Sequence, residues 1–334
     1  MKIIVPMAGM GKRMRPHTLT TPKPLIPIAG KPIVQRLVED IAEVCGQQVD
    51  EVAFIIGRFG AEAENKLAQI AKSVGAKCSI YYQDEPLGTA HAILCAKESL
   101  AGNLVVAFAD TLFRADFRLQ DGQENTIWVQ KVEDPKPFGV VTLDGNRHIT
   151  GFVEKPETFV SDLAIIGIYY FNDGQYLRSE LQYLLDNDLK DKGEYQLTNA
   201  LENMRAKGTV FLPGEVADWL DCGNKNSTVD TNTRYMAYIK DENLVASSAQ
   251  VIDSVILHPC YIGEGAVIKG SVVGPFVSIG KKTRVEGAVI SHSIIQENSN
   301  IKGAVIRNSM IGNHVTLIAR NIDLSLGDYN QVVL

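Results

Sequence analysis

No two cysteines in this sequence are spaced as C-x-x-C, and the five present (Cys45, Cys78, Cys95, Cys222, Cys260) form an odd set. A disulfide framework or a zinc knuckle is therefore not expected, and the chain reads as a reduced, cytoplasmic protein. Its six histidines are scattered without an H-E-x-x-H pair, which removes that metalloprotease signature. Long apolar runs are missing too. The longest, LAIIGIYYF from Leu163 to Phe171, is far short of the ~20 residues a bilayer requires and reads as a buried strand. The opening MKIIVPMAG is apolar too briefly for a secretory signal, because the glycine- and cation-rich stretch Gly9 to Arg15 follows at once. Cationic excess is lacking as well. A net charge of −6 supplies no attractive field for nucleic acid or an anionic membrane, so neither partner is expected. An anionic substrate would need a local basic site.

What is present suffices for two domains. The chain has 334 residues, 45% of them apolar, and domains run to roughly 100–200 residues each. Over 1–241, strand-like runs alternate with amphipathic helical stretches. Lys2 to Pro6 has a buried-strand pattern, Pro32 to Val44 reads as a helix, and Glu51 to Ile56 is again strand-like. Ala61 to Val74 places Leu67, Ile70, Ala71 and Val74 at helical spacing. A strand near Cys78 to Gln83, a helix from Gly88 to about Leu100 and a strand from Leu104 to Ala109 follow. Such alternation implies a Rossmann-like α/β domain, a mostly parallel sheet with helices on both faces. Ligands then sit at the carboxyl ends of the strands.

The last stretch, 249–334, differs in kind. Branched aliphatics recur at five- and six-residue steps: Ile262, Ile268, Val273, Ile279, Val285, Ile290, Ile295, Ile301, Ile306, Ile311 and Leu317. The steps group into periods of 17, 16 and 16, and KKTRVEGAVISHSIIQ (Lys281 to Gln296) aligns without gaps on ENSNIKGAVIRNSMIG (Glu297 to Gly312). Fixed-period repeats of this kind signal a short parallel β-solenoid of triangular coils, each of these aliphatics pointing inward. An amphipathic helix is disfavoured by the density of Val, Ile, Gly and Asn. The hinge is expected within Lys240 to Ser248.

Chemistry concentrates after the first strand, in MAGMGKRMRPHTLTTPKPLIPIAGKP. Gly9 and Gly11 let backbone N–H groups approach a triphosphate without a Cβ in the way. Lys12, Arg13, Arg15 and Lys23 supply cations, and Pro22 and Pro24 stiffen the chain around Lys23. Phosphoryl transfer asks a protein chiefly for positioning and charge neutralisation. A lone G-x-G is often an ordinary turn. This is no Walker loop, since Arg13 follows Gly11-Lys12 and Pro6 stands at the first glycine position. Nor is it a dinucleotide fingerprint, since Met14 occupies the third.

The run GMGKRMRPHTLTTPKPLIPIAGKP resembles the signature of the sugar-phosphate nucleotidylyltransferase family, GxGxRxxPxTxxxPKPxxPxxxKP. The resemblance continues in order through QDEPLGTAHAI, FADT, FGVV, FVEKP and WLDCGN, covering the first domain. It is nearest to the longer glucose-1-phosphate thymidylyltransferases, which carry a left-handed β-helix after the catalytic domain. The implied reaction joins a nucleoside triphosphate, thymidine or uridine triphosphate first, to a sugar-1-phosphate, glucose-1-phosphate first, with release of pyrophosphate.

The resemblance also implies site roles. Arg13 and Lys23 would be catalytic, and Ala8, Gly9, Gly11, Lys12, Gln83, Gly88 and Thr89 would bind the nucleotide. A Gln83 amide can accept from and donate to a pyrimidine edge, with Gly88 letting the base lie close to the backbone. Gly139, Glu154, Lys155 and Ile165 would hold the sugar phosphate, Glu154 accepting from sugar hydroxyls and Lys155 meeting the phosphate. Asp110 and Asp221, each at a strand end, would hold Mg²⁺. Either alone would read as a helix cap, and Ala109 replaces the usual glycine before the first. Outside the motif, Glu154-Lys155 is an ordinary surface pair. Trp219 leans towards core, His17 reads as a loop contact and His91 as a helix residue. Cys222 has no assignable histidine partner for nucleophilic work. Two alternatives remain. One is a bifunctional uridylyltransferase and acyltransferase on an amino-sugar phosphate, although no lysine-and-histidine acetyl-transfer motif matches. The other is a silent regulatory homologue. An open β edge at the end of the stack invites self-association into a homo-oligomer.

Overall fold

A computed structural model describes residues 1–115, 118–119 and 122–319. The final positions of the expected solenoid, 320–334, lie outside the described residues. The chain divides into two compact units, one of Met1–Ile26 and Lys31–Asn224, the other of Pro27–Gly30 with the chain from Lys225 onward.

The first unit is built on a nine-stranded sheet. Its elements are β1 (Lys2–Pro6), α1 (Ile33–Cys45), β2 (Glu51–Ile56), α2 (Ala61–Ser73), β3 (Lys77–Tyr82), α3 (Thr89–Leu94), β4 (Leu104–Ala107) and β5 (Thr111–Arg114). There follow β6 (Asn125–Lys131), β7 (Gly139–Leu143), β8 (Ile149–Glu154), β9 (Leu163–Phe171), α4 (Gly174–Asp186), α5 (Leu197–Ala206), β10 (Phe211–Glu215) and β11 (Asp218–Asp221). The sheet order is β8-β7-β9-β4-β1-β2-β3, with β6 pairing β9 and β10.

Parallel pairing is concentrated in β4-β1-β2-β3, with a further parallel pair between β10 and β6. Around β9 the ladder turns antiparallel. The difference has a local cause. β1, β2 and β3 are separated by helical crossovers, as parallel neighbours require, whereas β7 and β8 are joined by the short turn Asp144 to His148. All six residues of β2 are buried, as expected of a strand covered on both faces. In α1 the buried Ile33, Leu37, Val38, Ile41 and Cys45 fall on one face. Gly46 at φ 59° closes that helix. The expected helix from Gly88 to Leu100 is shorter, stopping as α3 at Leu94 before a run of turns.

The second unit is the solenoid. Short parallel strands stack in three sheets, an arrangement consistent with a left-handed β-helix. Ladder registers such as Val285↔Ile301 and Ile290↔Ile306 reproduce the 16-residue period. The aliphatics expected to point inward, from Ile262 to Ile306, are buried, whereas Val289 and Val305 between them are exposed. Ile311 is only partly buried, and Leu317, in the last described coil, is 37% exposed. The corners recur with the same period. Gly265, Lys282, Asn298 and His314 all have positive φ, as do Asp253, Gly270, Gly287 and Gly303. Buried hydroxyls tie coil to coil: Ser271 Oγ donates to the Lys269 carbonyl and accepts from the Ala288 N–H.

Composition placed the hinge at Lys240 to Ser248, but the compact division falls between Asn224 and Lys225. Helix α6 (Lys225–Tyr238) belongs to the second unit, where its buried Asn232 accepts from the Ala29 N–H at 2.9 Å and from Ser278 Oγ at 2.8 Å.

Candidate active site

The carboxyl ends of β1, β3 and β4 open on a cavity of about 440 Å³. Its wall gathers Ala8, Gly9, Gly11, Lys12, Arg13, Lys23, Gln83, Gly88, Thr89 and Asp110, which the sequence scatters over a hundred positions. The loop leaving β1 is held from within. Gly11 sits at φ 56° and ψ 38°, its carbonyl accepts from Thr18 Oγ1 at 2.8 Å, and Met14 is fully buried beneath it. A Cβ on Gly9 would meet nothing within 4 Å, so its backbone faces open space. A Cβ on Gly11 would press on Lys23 and Thr18 at 3.0 Å. Lys12 and Arg13 remain exposed.

Lys23 begins a tight turn flanked by Pro22 and Pro24. It is 8% exposed, and its Nζ donates to Asp110 Oδ2 at 3.0 Å. A buried ammonium needs such a partner. The strand LVVAFAD ends two residues sooner than expected: β4 stops at Ala107, and Asp110 lies in the turn into β5. Asp221 does end its strand. Antiparallel pairing of β11 with β5 sets Asp221 opposite Thr111, and the Cys222 N–H donates to the Asp110 carbonyl at 2.9 Å. The Gly223 N–H donates to Asp221 Oδ1, and Gly223 lines the cavity.

Gln83 follows β3, and its own N–H extends the ladder by donating to the Ile56 carbonyl. Its side-chain Nε2 contacts the Gly88 carbonyl at 3.2 Å and His91 Nδ1 at 3.1 Å. His91, read from sequence as a plain helix residue, thus touches the expected base reader. Gly88 is required for a reason the sequence concealed. It sits at φ 116°, and a Cβ there would lie 2.4 Å from the Tyr195 carbonyl oxygen. The segment around it pairs with residues 195–197, Tyr195 N–H donating to the Leu87 carbonyl and Ala90 N–H to the Tyr195 carbonyl. Thr89 Oγ1 accepts from the Leu197 N–H in the same seam.

Gly139, Glu154, Lys155 and Ile165 do not line this cavity. They form a second group on β7, β8 and β9, with Gly139 opposite Glu154 and Val140 paired with Ala164. A Cβ on Gly139 would stand 3.0 Å from Glu154 Oε2 and 3.4 Å from Ile165 Cδ1. Thr198 Oγ1 donates weakly to Glu154 Oε2 at 3.4 Å, and Lys155 Nζ lies 3.4 Å from Oε1. Tyr169 is buried within the electrostatic reach of both acids. Burial pushes its phenol far above the ordinary range, and the charges of Glu154 and Asp110 push it the same way. Trp219 is half-buried, edge-on to Phe138 at 5.0 Å. His17 is held below its ordinary value by burial and lies outside the cavity wall. Phe108, Pro86, Glu194 and Gly223 also line the cavity and were not singled out in sequence. Glu194 in particular arrives there only through the pairing of residues 195–197 with the Gly88 segment.

A family model described as nucleotidyl transferase matches residues 2–237, and the chain belongs to that family. Among its relatives, a glucose-1-phosphate thymidylyltransferase from Streptomyces antibioticus is 30% identical over 99% of both chains. The bifunctional protein GlmU from Methanococcus maripaludis is 29% identical over 96% of this chain and 77% of its own length. Among solved structures, UDP-glucose pyrophosphorylase complexed with UDP-glucose superposes with a TM-score of 0.59 at 25% identity, covering 72% of this chain and 99% of its own. No helix among the described residues is long and apolar enough to cross a membrane.

Proposed function

We propose that the protein joins a nucleoside triphosphate to a sugar-1-phosphate and releases pyrophosphate, with thymidine or uridine triphosphate and glucose-1-phosphate as first candidates. The observation that carries the proposal is the buried Lys23 ammonium paired with Asp110 on a cavity wall that also holds the open Gly9 backbone and the exposed Lys12 and Arg13.

A phosphate oxygen of the sugar-1-phosphate attacks the nucleotide α-phosphorus, and the bond to the bridging oxygen of pyrophosphate breaks with its electron pair going to that oxygen. The attacker is already ionised at neutral pH, so no strong base is needed. The work left to the protein is alignment and neutralisation. Lys12 and Arg13 bind the triphosphate with the backbone of the loop. Lys23 stabilises charge on the phosphates, Glu154 accepts from sugar hydroxyls, and Lys155 orients the attacking phosphate.

The acidic pair suits a magnesium ion. Asp110 and Asp221 offer hard oxygen donors in adjoining backbone positions. No group of three or more candidate side-chain ligands is present among the described residues. Magnesium takes one or two carboxylates and completes its shell with water and substrate phosphates. When bound, it would neutralise triphosphate oxygens and the departing pyrophosphate.

The decisive measurement is pyrophosphate release across a matrix of sugar-1-phosphates and nucleoside triphosphates. Silence at every pairing, with nucleotide still bound, would instead favour a regulatory homologue. The likeness to a bifunctional relative makes a second activity testable by adding acetyl-coenzyme A, and an acetylated sugar would establish it. Self-association through an open solenoid edge is part of the same proposal. A monomer in light scattering at micromolar concentration would remove it.

A further inference from the structure

We infer that His91 is a positioning residue which fixes the orientation of the Gln83 amide, so that the nucleotide base meets only its carbonyl oxygen and uracil or thymine is selected over cytosine. The inference rests on Gln83 being the base contact proposed above, and adds what decides how it reads.

The bonding around Gln83 leaves little choice. A side-chain amide nitrogen only donates, with two hydrogens to place. One acceptor is the Gly88 carbonyl at 3.2 Å, and the other group within reach is His91 Nδ1 at 3.1 Å. Nδ1 must therefore carry its lone pair, and the proton of the neutral ring must sit on Nε2. Burial lowers the tendency of His91 to protonate, while the Glu85 charge acts the other way. Turning the amide over would set its oxygen against the Gly88 carbonyl oxygen, an opposition of two acceptors that no histidine tautomer removes. Both amide hydrogens are thus committed inside the protein, and Gln83 lines the cavity with an oxygen for which no partner is found among the described residues.

The sequence suggested that Gln83 could both donate and accept. With its nitrogen engaged, it can only accept. Uracil and thymine carry N–H at ring position 3 and satisfy such an oxygen. Cytosine carries a lone pair there, so two acceptors would face each other. A site whose polar group is left unpaired or opposed rejects the wrong ligand more strongly than one lacking a contact. His91 itself lies behind Gln83, half-buried on α3 and absent from the cavity wall, so it acts through the amide rather than on the base.

The test measures binding, so it does not depend on turnover. Titration calorimetry gives Kd for UTP and for CTP in the wild type, in His91→Leu and in His91→Asn. The side-chain oxygen of the Asn variant can replace Nδ1 as an acceptor. The wild type is expected to prefer UTP, with the preference falling about tenfold in His91→Leu, roughly what one hydrogen bond is worth. His91→Asn is expected to retain it to within about threefold. Thermal melting checks that each variant is folded. Nitrogen NMR of the unliganded wild type should find His91 protonated on Nε2 alone.

An unchanged preference in a folded His91→Leu protein would overturn the inference. So would equal binding of UTP and CTP by the wild type, or a proton on Nδ1. The NMR result decides the matter by itself if His91→Leu does not fold. Selective UTP binding without pyrophosphate release would sink the transfer reaction while leaving the role of His91 standing.

Discussion

Positive-φ residues serve different purposes at the repeating solenoid corners and in the Gly88 segment of the first unit. At one solenoid corner, successive coils place Gly265, Lys282, Asn298 and His314 at equivalent positions, all between φ 54° and 65°. A Cβ on Gly270 or Gly287, at another corner, would meet nothing within 4 Å. The left-handed turn there costs a side chain only its backbone preference, about 1–2 kcal/mol and less for Asn. At Gly88 the same sign of φ coincides with a carbonyl oxygen 2.4 Å from any added Cβ. One glycine supplies conformation, whereas the other supplies space. These two corners can therefore vary their residues, while the Gly88 segment cannot, and neither can Gly274 in the solenoid, where a Cβ would lie 1.9 Å from the Leu257 carbonyl oxygen.

Several substitutions would break or sharpen that contrast. The largest effect is expected away from glycine altogether. Asp110→Ala should lower magnesium-dependent pyrophosphate release by about 10²–10³ with the fold intact by circular dichroism, and near-normal release would remove Asp110 from the metal site. Next comes Gly88→Ala, where strain and the Tyr195 clash together should cost about 2–4 kcal/mol in urea unfolding. A loss below about 0.5 kcal/mol would mean that the seam yields easily and that space is not what Gly88 supplies. In the solenoid, Ser271→Ala strands the Ala288 N–H and should cost about 1–3 kcal/mol, leaving nucleotide binding unchanged. The smallest effect belongs to Gly287→Asn, expected to stay within about 1 kcal/mol in the same unfolding assay. A larger loss would contradict the interchangeability of corners.

The sequence made these two units legible to different depths. Periods of 17 and 16 identified the inward-facing aliphatics because a coil repeats the same environment each turn. They did not anticipate the exposure of Leu317. In the first unit the alternation of strands and helices located α1 and β2 almost to the residue, since α1 carries a strong helical period of burial and β2 is a short, wholly buried run. The parallel sheet was expected to extend further than it does, because a buried β9 looks the same in sequence whichever way its neighbours run. The loop and its lysine were visible through local glycine and proline chemistry. His91 and Glu194 were not, since the contacts that give them meaning join distant parts of the chain.

The backbone spacing of Asp110 and Asp221 is set by peptide groups. The Cys222 N–H to Asp110 carbonyl bond, continued by the ladder between β5 and β11, depends on no particular side chain at position 222. Replacing that thiol can repack its surroundings yet leaves the crossbeam between the acids in place. Only a residue without an amide hydrogen, proline, would remove it.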